Sequence, residues 1–212
     1  MKPRKRPLQA RARATVDAIF DATIQVLLAD GLQQLTTVRV AERAGASVGT
    51  LYQYYPHKEA LLYSVLERHL LRIWESVERA AASVHHTPLA TMVPAVVDGF
   101  LRSKFERPDE ARALYQVAGD LHARDLVLEG EERCRAAFAA MLGTATDARF
   151  ADLPTTAFMV TGALAGPTRA VLEGGASPRM VRALRSQLVS VCLGYLEREA
   201  RAVPASRDPA GG

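Results

Sequence analysis

Residues 36–62, TTVRVAERAGASVGTLYQYYPHKEALL, constrain the fold more than any other stretch of this 212-residue chain. Their caps and breakers leave space only for short helices joined by a tight turn. Thr37 is a good N-cap for a helix beginning at Val38, since its hydroxyl can accept from an amide that has no partner inside the helix. Along that helix Val38, Ala41 and Ala44 are expected to face inward and Arg39, Glu42 and Arg43 outward. Gly45 ends it in the left-handed conformation that helix C-termini favour. Ser47 caps a second helix over Val48 to Tyr54, in which Leu51 is the one plainly apolar anchor. Pro56 stops that helix, and His57-Lys58 opens a third. So short a gap between the first two helices holds them at a steep angle, the outline of a helix-turn-helix.

A recognition helix lies in the major groove of DNA with its N-terminal end toward base edges. Ser47, Val48, Gly49 and Thr50 are small enough to let a backbone come close to another surface. Tyr52, Gln53, Tyr54, Tyr55, His57 and Lys58 follow as candidates for DNA contact, and hydroxyls, amides and lysines are the groups that contact phosphates and fix register. Spacing alone leaves two readings open. One is a DNA-binding unit. The other is a helical outline in which the tyrosines pack on a neighbour and touch no ligand.

These residues resemble the DNA-binding domain of the tetracycline-repressor (TetR) family of bacterial transcription regulators. The resemblance covers about Ala14 to Leu66. It includes Ala22, Leu27, Gly31, Leu32, Leu35 and Thr36 in the lead-in, TVRVAERAGASVGTLYQYY at 37–55 and KEALL at 58–62. It implies that Thr37 and Arg39 approach the DNA backbone or a base edge, and that Ser47, Val48, Gly49 and Thr50 face the groove. It further implies that Tyr52, Tyr55 and Lys58 border phosphates, while Gln53 and Tyr54 occupy variable positions that help set the operator. Val48 departs from the family pattern, which often has lysine, glutamine or another polar residue there. Valine has no hydrogen bond to give, so its use at a base edge is apolar contact with a thymine methyl.

Charge supports the placement. Residues 1–60 hold nine Lys or Arg against five acids, and the remaining 152 hold 18 of each, so the net +4 belongs to the first part of the chain. Basic patches attract phosphate in a salt-dependent way. Residues 1–13, MKPRKRPLQARAR, carry six of these charges and no acid. They are expected to be a flexible basic arm, either simply solvated or reaching into an adjacent minor groove. Cys134 and Cys192 are too few and too distant for a disulfide framework or zinc cage, and each is expected to be a buried small hydrophobe. His85 and His86 lack a clear third ligand nearby, so no metal is expected. No nucleophile elbow, phosphate loop or dinucleotide fingerprint is present, so no enzyme activity and no cofactor are expected. With no membrane-length apolar run and no signal-peptide core, the protein is expected in the cytoplasm, associated with the nucleoid.

The rest reads as helix. Val16, Ile19, Phe20, Thr23, Val26 and Leu27 keep three-and-four spacing in a first helix from Ala12 to Asp30. Leu62, Val65, Leu66, Leu70, Ile73 and Val77 continue that period in a long helix from Lys58 to Ala82, a natural lever between two halves. Further helices are expected over Leu89–Phe105, Asp109–Gly119 and Arg124–Gly143, then a loop over 143–154. A helix with Pro154 in its first turn should be kinked or interrupted at Gly166-Pro167. A last helix, capped at Ser177-Pro178, is apolar on two sides: Val181, Leu184, Leu188, Val191 and Tyr195 on one, Val189, Leu193 and Leu196 on the other. A helix apolar on more than one face needs more than one neighbour. One side is therefore expected to meet its own core and the other a partner subunit. The resemblance implies that the last two helices form a four-helix dimer interface, with Gly162, Ala165, Arg169, Val189, Leu193 and Leu196 as candidates. Trp74, Phe100, Tyr115, His122, Phe138 and Phe158 are candidates for lining an effector site, although aromatics at helical spacing usually serve as core.

The expected fold class is all-α: an N-terminal three-helix helix-turn-helix domain followed by a larger helical ligand-binding and dimerisation domain. The expected organisation is an arm at 1–13, a DNA-binding domain at 14–57, a regulatory domain at 58–201 and a disordered tail at 202–212. The expected function is a homodimeric, sequence-specific transcription regulator, a repressor released from a palindromic operator by a small, mostly apolar ligand. The alternative is a DNA-binding protein without an inducer, either an activator or a nucleoid factor.

Overall fold

The structure, a computed structural model, describes residues 6–175 and 177–202. Among them the chain forms nine helices and one short ladder: α1 (Arg6–Asp30), α2 (Thr37–Ala44), α3 (Val48–Tyr54), α4 (Lys58–Ala82), α5 (Leu89–Phe105), α6 (Pro108–Asp120), α7 (Arg124–Leu142), β1 (Ala148–Arg149), α8 (Leu153–Glu173), α9 (Pro178–Glu199) and β2 (Arg201–Ala202). The all-helical class expected from sequence is observed. The ladder is a departure from it: β1 lies where a loop was expected and pairs antiparallel with β2, Ala148 opposite Ala202. Two residues per strand give no readable alternation, so this pairing leaves no sequence pattern. The tail beyond Ala202 lies outside the described residues.

The helix α1 starts at Arg6 instead of Ala12. Pro7 is tolerated in a first turn, and Leu, Gln, Ala and Arg are good helix formers, so nothing in RPLQARAR breaks the helix. Of the expected basic arm, residues 1–5 lie outside the described residues and residues 6–13 are the opening turns of α1.

The chain divides into two compact units, one of Met1–Leu70 with Arg107–Val127, the other of Leu71–Glu106 with Leu128–Gly212. The boundary thus falls inside α4, and α6 groups with the first unit. In that unit Ile19, Ala22, Val26, Leu27, Leu35, Val40, Ala41, Leu51, Leu61, Leu62, Val65 and Leu66 are buried. Arg68 of α4 closes over the Phe20 ring at 5.1 Å and pairs with Asp17 of α1 at 2.6 Å. Deeper in the unit, the His69 imidazole of α4 meets the Glu110 carboxylate of α6 at 3.3 Å, both buried.

In the second unit α9 packs against α5 and α8. The seam it buries is Leu184, Leu188, Cys192 and Leu196, a strict four-residue repeat. The expected inward row named Val191, which is 54 % exposed. A row spaced by four along a short contact follows one edge of the helix, whereas the expected row drifted across two. Arg185 pairs bidentately with Asp98 of α5 at 2.6 and 2.9 Å. The α4–α7 contact is tighter: a Cβ on Gly130 would lie 1.9 Å from Trp74 Nε1. The Arg133 guanidinium sits over the same indole at 5.2 Å and holds Glu78 with two hydrogen bonds of 2.9 Å. Of the kink or interruption expected at Gly166-Pro167, an interruption is not observed: α8 runs as one helix from Leu153 to Glu173 with Pro167 inside it. Buried Leu164, Thr168 and Leu172 flank the proline and keep the segment helical by packing.

Candidate nucleic-acid interface

The helix-turn-helix is built by caps. Thr36, extended at φ −128° and ψ 153°, is the N-cap of α2, its hydroxyl accepting from the Arg39 amide at 3.3 Å. This corrects the assignment of the cap to Thr37 and moves the helix by one residue. Thr37, Val40 and Ala41 are the buried positions, and Val38 turns outward at 46 % exposure. The spacing 37, 40, 41, 44 is the better helical stripe and was available in the sequence. Gly45 ends α2 at φ +65°, and Ala46 N–H reaches back to Ala41 O at 3.0 Å, as expected of a glycine stop. Ser47 caps α3, its Oγ accepting from Thr50 N–H at 3.0 Å and lying 2.8 Å from Thr50 Oγ1. Leu51 alone is buried on α3, and it anchors the helix.

With Leu51 inward, Gly49, Tyr52, Gln53 and Tyr54 stand exposed, and Val48 and Thr50 are half-buried beside them. Inside the chain a Cβ on Gly49 would meet only Ser47 Oγ, at an ordinary 3.8 Å. No internal contact therefore demands glycine there. Tyr52 OH lies 3.1 Å from Thr37 Oγ1, tying α3 to the start of α2. Tyr55 differs from its neighbours: it is 9 % exposed and its ring packs on Phe20 at 5.9 Å. Burial raises its phenol pKa, opposed by the Arg68 guanidinium and helped by Tyr54. Its ring is core, so among the expected phosphate-bordering tyrosines Tyr52 is the accessible one.

The cations around this face are held lightly. Arg39 Nη1 lies 2.9 Å from Asp30 Oδ2, both half-exposed. Such a pair contributes only about 0–1 kcal/mol, so the guanidinium can leave it for a phosphate. Lys58 Nζ donates to Leu32 O at 3.4 Å, and an ammonium keeps further protons to offer. His57 Nδ1 accepts from Ala60 N–H at 3.1 Å and so caps α4. The Glu59 carboxylate lies 3.2 Å from the same nitrogen. The sequence reading missed three residues here: Thr36 as cap, Val38 as an outward apolar side chain, and Asp30 as partner of Arg39.

A family model described as "Bacterial regulatory proteins, tetR family" matches residues 19–65, and "Tetracyclin repressor-like, C-terminal domain" matches residues 88–196. The chain belongs to the TetR family. The helix-turn-helix lies inside the match described as bacterial regulatory proteins. The HTH-type transcriptional repressor KstR of Mycolicibacterium smegmatis is 44 % identical over 63 residues, 30 % of this chain and 31 % of that protein. The HTH-type transcriptional regulator BetI of Burkholderia mallei is 31 % identical over 91 residues, 42 % of this chain and 46 % of that protein. The matched segment thus spans a third to a half of these relatives. A transcriptional regulator from Rhodococcus sp. Rha1 has the same fold, with a TM-score of 0.68 at 16 % identity over 89 % of this chain and 99 % of that one.

The effector candidates fall in both units. Trp74, Phe100 and Phe138 are buried in the second unit, whereas Phe158 is 55 % exposed on α8. Tyr115 and His122 lie in the first unit, His122 exposed at a left-handed turn with φ +50°. Of the dimer candidates, Gly162 and Arg169 are exposed and Ala165, Val189 and Leu193 half-buried, but Leu196 belongs to the seam of its own subunit. The large apolar residues exposed on these two helices are Phe158, Met159, Met180 and Val191. Cys134 and Cys192 are buried thiols, each pushed up to about 11 chiefly by burial. The His85–His86 loop is tied down by His86 N–H to Thr144 Oγ1 at 3.0 Å. Among the described residues no group of His, Cys, Asp or Glu is arranged to hold a metal, and no helix is long and apolar enough to cross a membrane.

Proposed function

We propose that the chain is a homodimeric repressor that occupies a near-palindromic operator and leaves it when a small, mostly apolar effector binds. The observation that carries the DNA contacts is the outward face of α2 and α3. Gly49 is small there without an internal reason, Tyr52 and Gln53 stand exposed on the same helix, and Arg39 of α2 and Lys58 of α4 are the cations of the unit. Gly49, Thr50 and Val48 approach base edges, Val48 by apolar contact with a thymine methyl. Lys58, Arg39 and Tyr52 take phosphates. Gln53 and Tyr54 discriminate among bases.

Dimerisation is supported by the apolar side chains that α8 and α9 leave exposed, Phe158, Met159 and Val191 among them, beside Gly162, whose added Cβ would meet nothing within 4 Å. A second copy placed on these helices would bury them, as Gly162, Ala165, Val189 and Leu193 require. Two recognition helices would then reach half-sites about one DNA turn, roughly 34 Å, apart. An effector held among the apolar helices of the second unit near Trp74, Phe100 and Phe138 would act through α4, which is one continuous helix from Lys58 into that unit. It shifts the balance only by its different affinity for the two dimer shapes.

Selection of bound duplexes from a random pool, at stated salt, tests the reading. Enrichment of an inverted repeat supports it. Enrichment of base composition alone would favour a nucleoid factor. Screening hydrophobic compounds against the selected duplex then tests release, and equal DNA affinity with every compound would remove the effector from the account.

A further inference from the structure

We propose that Thr37 is a positioning residue for Tyr52: it holds the Tyr52 hydroxyl where that group meets a DNA phosphate, and does not itself touch DNA. This rests on reading α2 and α3 as a DNA-contacting face. Thr37 opens α2 yet is only 8 % exposed, and its Oγ1 lies 3.1 Å from Tyr52 OH. Tyr52 stands on the recognition helix and is half exposed. One member of the pair is therefore sheltered and the other accessible, joined across two helices whose relative placement decides what the face can reach.

Chemistry sets the direction of this link. A phosphate oxygen only accepts, so on DNA the Tyr52 O–H must point outward to donate. The tyrosine oxygen is then free to accept from inside, and Thr37 Oγ1 is the group placed to donate to it. The result is a directed chain, Thr37 hydroxyl to Tyr52 hydroxyl to phosphate, in which each donor polarises the next. In the free protein either oxygen can donate, and DNA selects one sense. The link also fixes the tyrosine before DNA arrives, so less side-chain freedom is lost on binding. It accounts for the burial of Thr37, whose β-branched side chain packs inward while its hydroxyl is spent on Tyr52. A direct phosphate contact would need that hydroxyl at the surface.

The test is a double-mutant cycle on full-length protein, with two probes: a duplex enriched by the native chain from a random pool and a scrambled duplex of equal length. Thr37→Val keeps the shape and removes the hydroxyl. It is expected to weaken binding to both duplexes by roughly 3- to 10-fold. Thr37→Ser is expected to restore most of the affinity. Tyr52→Phe should weaken binding at least as much as Thr37→Val, and Thr37→Val in the Tyr52→Phe background should add no further loss. A purely structural threonine would lower the thermal midpoint and weaken binding equally in both backgrounds. Additive losses, or native affinity in Thr37→Val, overturn the proposal. Should valine unfold the unit, Thr37→Ala and Thr37→Ser in each background carry the same comparison. If the native chain enriches no duplex, the DNA reading itself fails and the proposal falls with it, an outcome distinct from additivity.

Discussion

Two glycines on two helices show how differently the halves of this chain use a missing side chain. Gly130 on α7 has no room: an added Cβ would lie 1.9 to 2.3 Å from the Trp74 indole. Gly49 on α3 has space, and an added Cβ would touch Ser47 Oγ at 3.8 Å and nothing nearer. The first is small for the protein's own packing. The second is small at a surface, where no contact inside the chain requires it. The same contrast separates Tyr55, turned into the Phe20 ring, from Tyr52, exposed and held by Thr37. Burial distinguishes residues that make the fold from residues that use it.

The comparison is broken most forcefully at the α4–α7 contact. Trp74→Ala should cost about 3–5 kcal/mol of stability, and Gly130→Ala about 1–3 kcal/mol by overpacking. Denaturant unfolding checks both, and operator affinity per folded molecule should hardly change. Next comes Lys58→Ala, expected to weaken binding to all duplexes by roughly tenfold and to lower the salt slope by about 1. A titration at several salt concentrations reads both numbers, and an altered sequence preference with unchanged affinity would show the lysine's role to be misassigned. Gln53→Ala sharpens the contrast within α3. It should relax preference at one base pair by about 1–3 kcal/mol while leaving binding to scrambled duplex unchanged.

The smallest expected effect is at the thiols. Burial raises Cys134 and Cys192 from 9.0 to about 11, so the native chain holds these protons more tightly than the unfolded chain. Their contribution to stability is full below pH 9 and is lost as pH climbs toward about 11. At neutral pH both should resist thiol reagents until the chain unfolds, and peroxide should leave DNA binding unchanged. Rapid labelling of either cysteine in native protein would show instead that the thiol is reached without unfolding.

Legibility followed the range of the forces involved. Gly45, Ser47 and Lys58 were readable because caps and stops act over three or four residues. The register of α2 was not read correctly because Thr36 and Thr37 both make acceptable caps, and only packing against the rest of the unit decides that Val40 goes in and Val38 out. The inward edge of α9 depends on α5 and α8, so a helix apolar on two sides gave no way to choose Leu184, Leu188, Cys192 and Leu196 as the seam. Aromatic residues were the least informative. Phe138 and Phe158 both stand among apolar residues of their helices, yet one is core and the other is exposed.

If α3 is shaped for DNA, its outward face carries that shape at some cost to its own stability. Gly49→Ala tests it on a single sample, by denaturant unfolding and by affinity for the selected duplex. Gly49 is the second residue of α3, where alanine should stabilise the fold by at most about 0.5 kcal/mol, because glycine loses more freedom on folding and no contact here forbids a Cβ. The account predicts that this more stable protein binds the duplex more weakly. A variant that gains stability and keeps native affinity would contradict it, since the space beside Gly49 would then be empty on DNA as well.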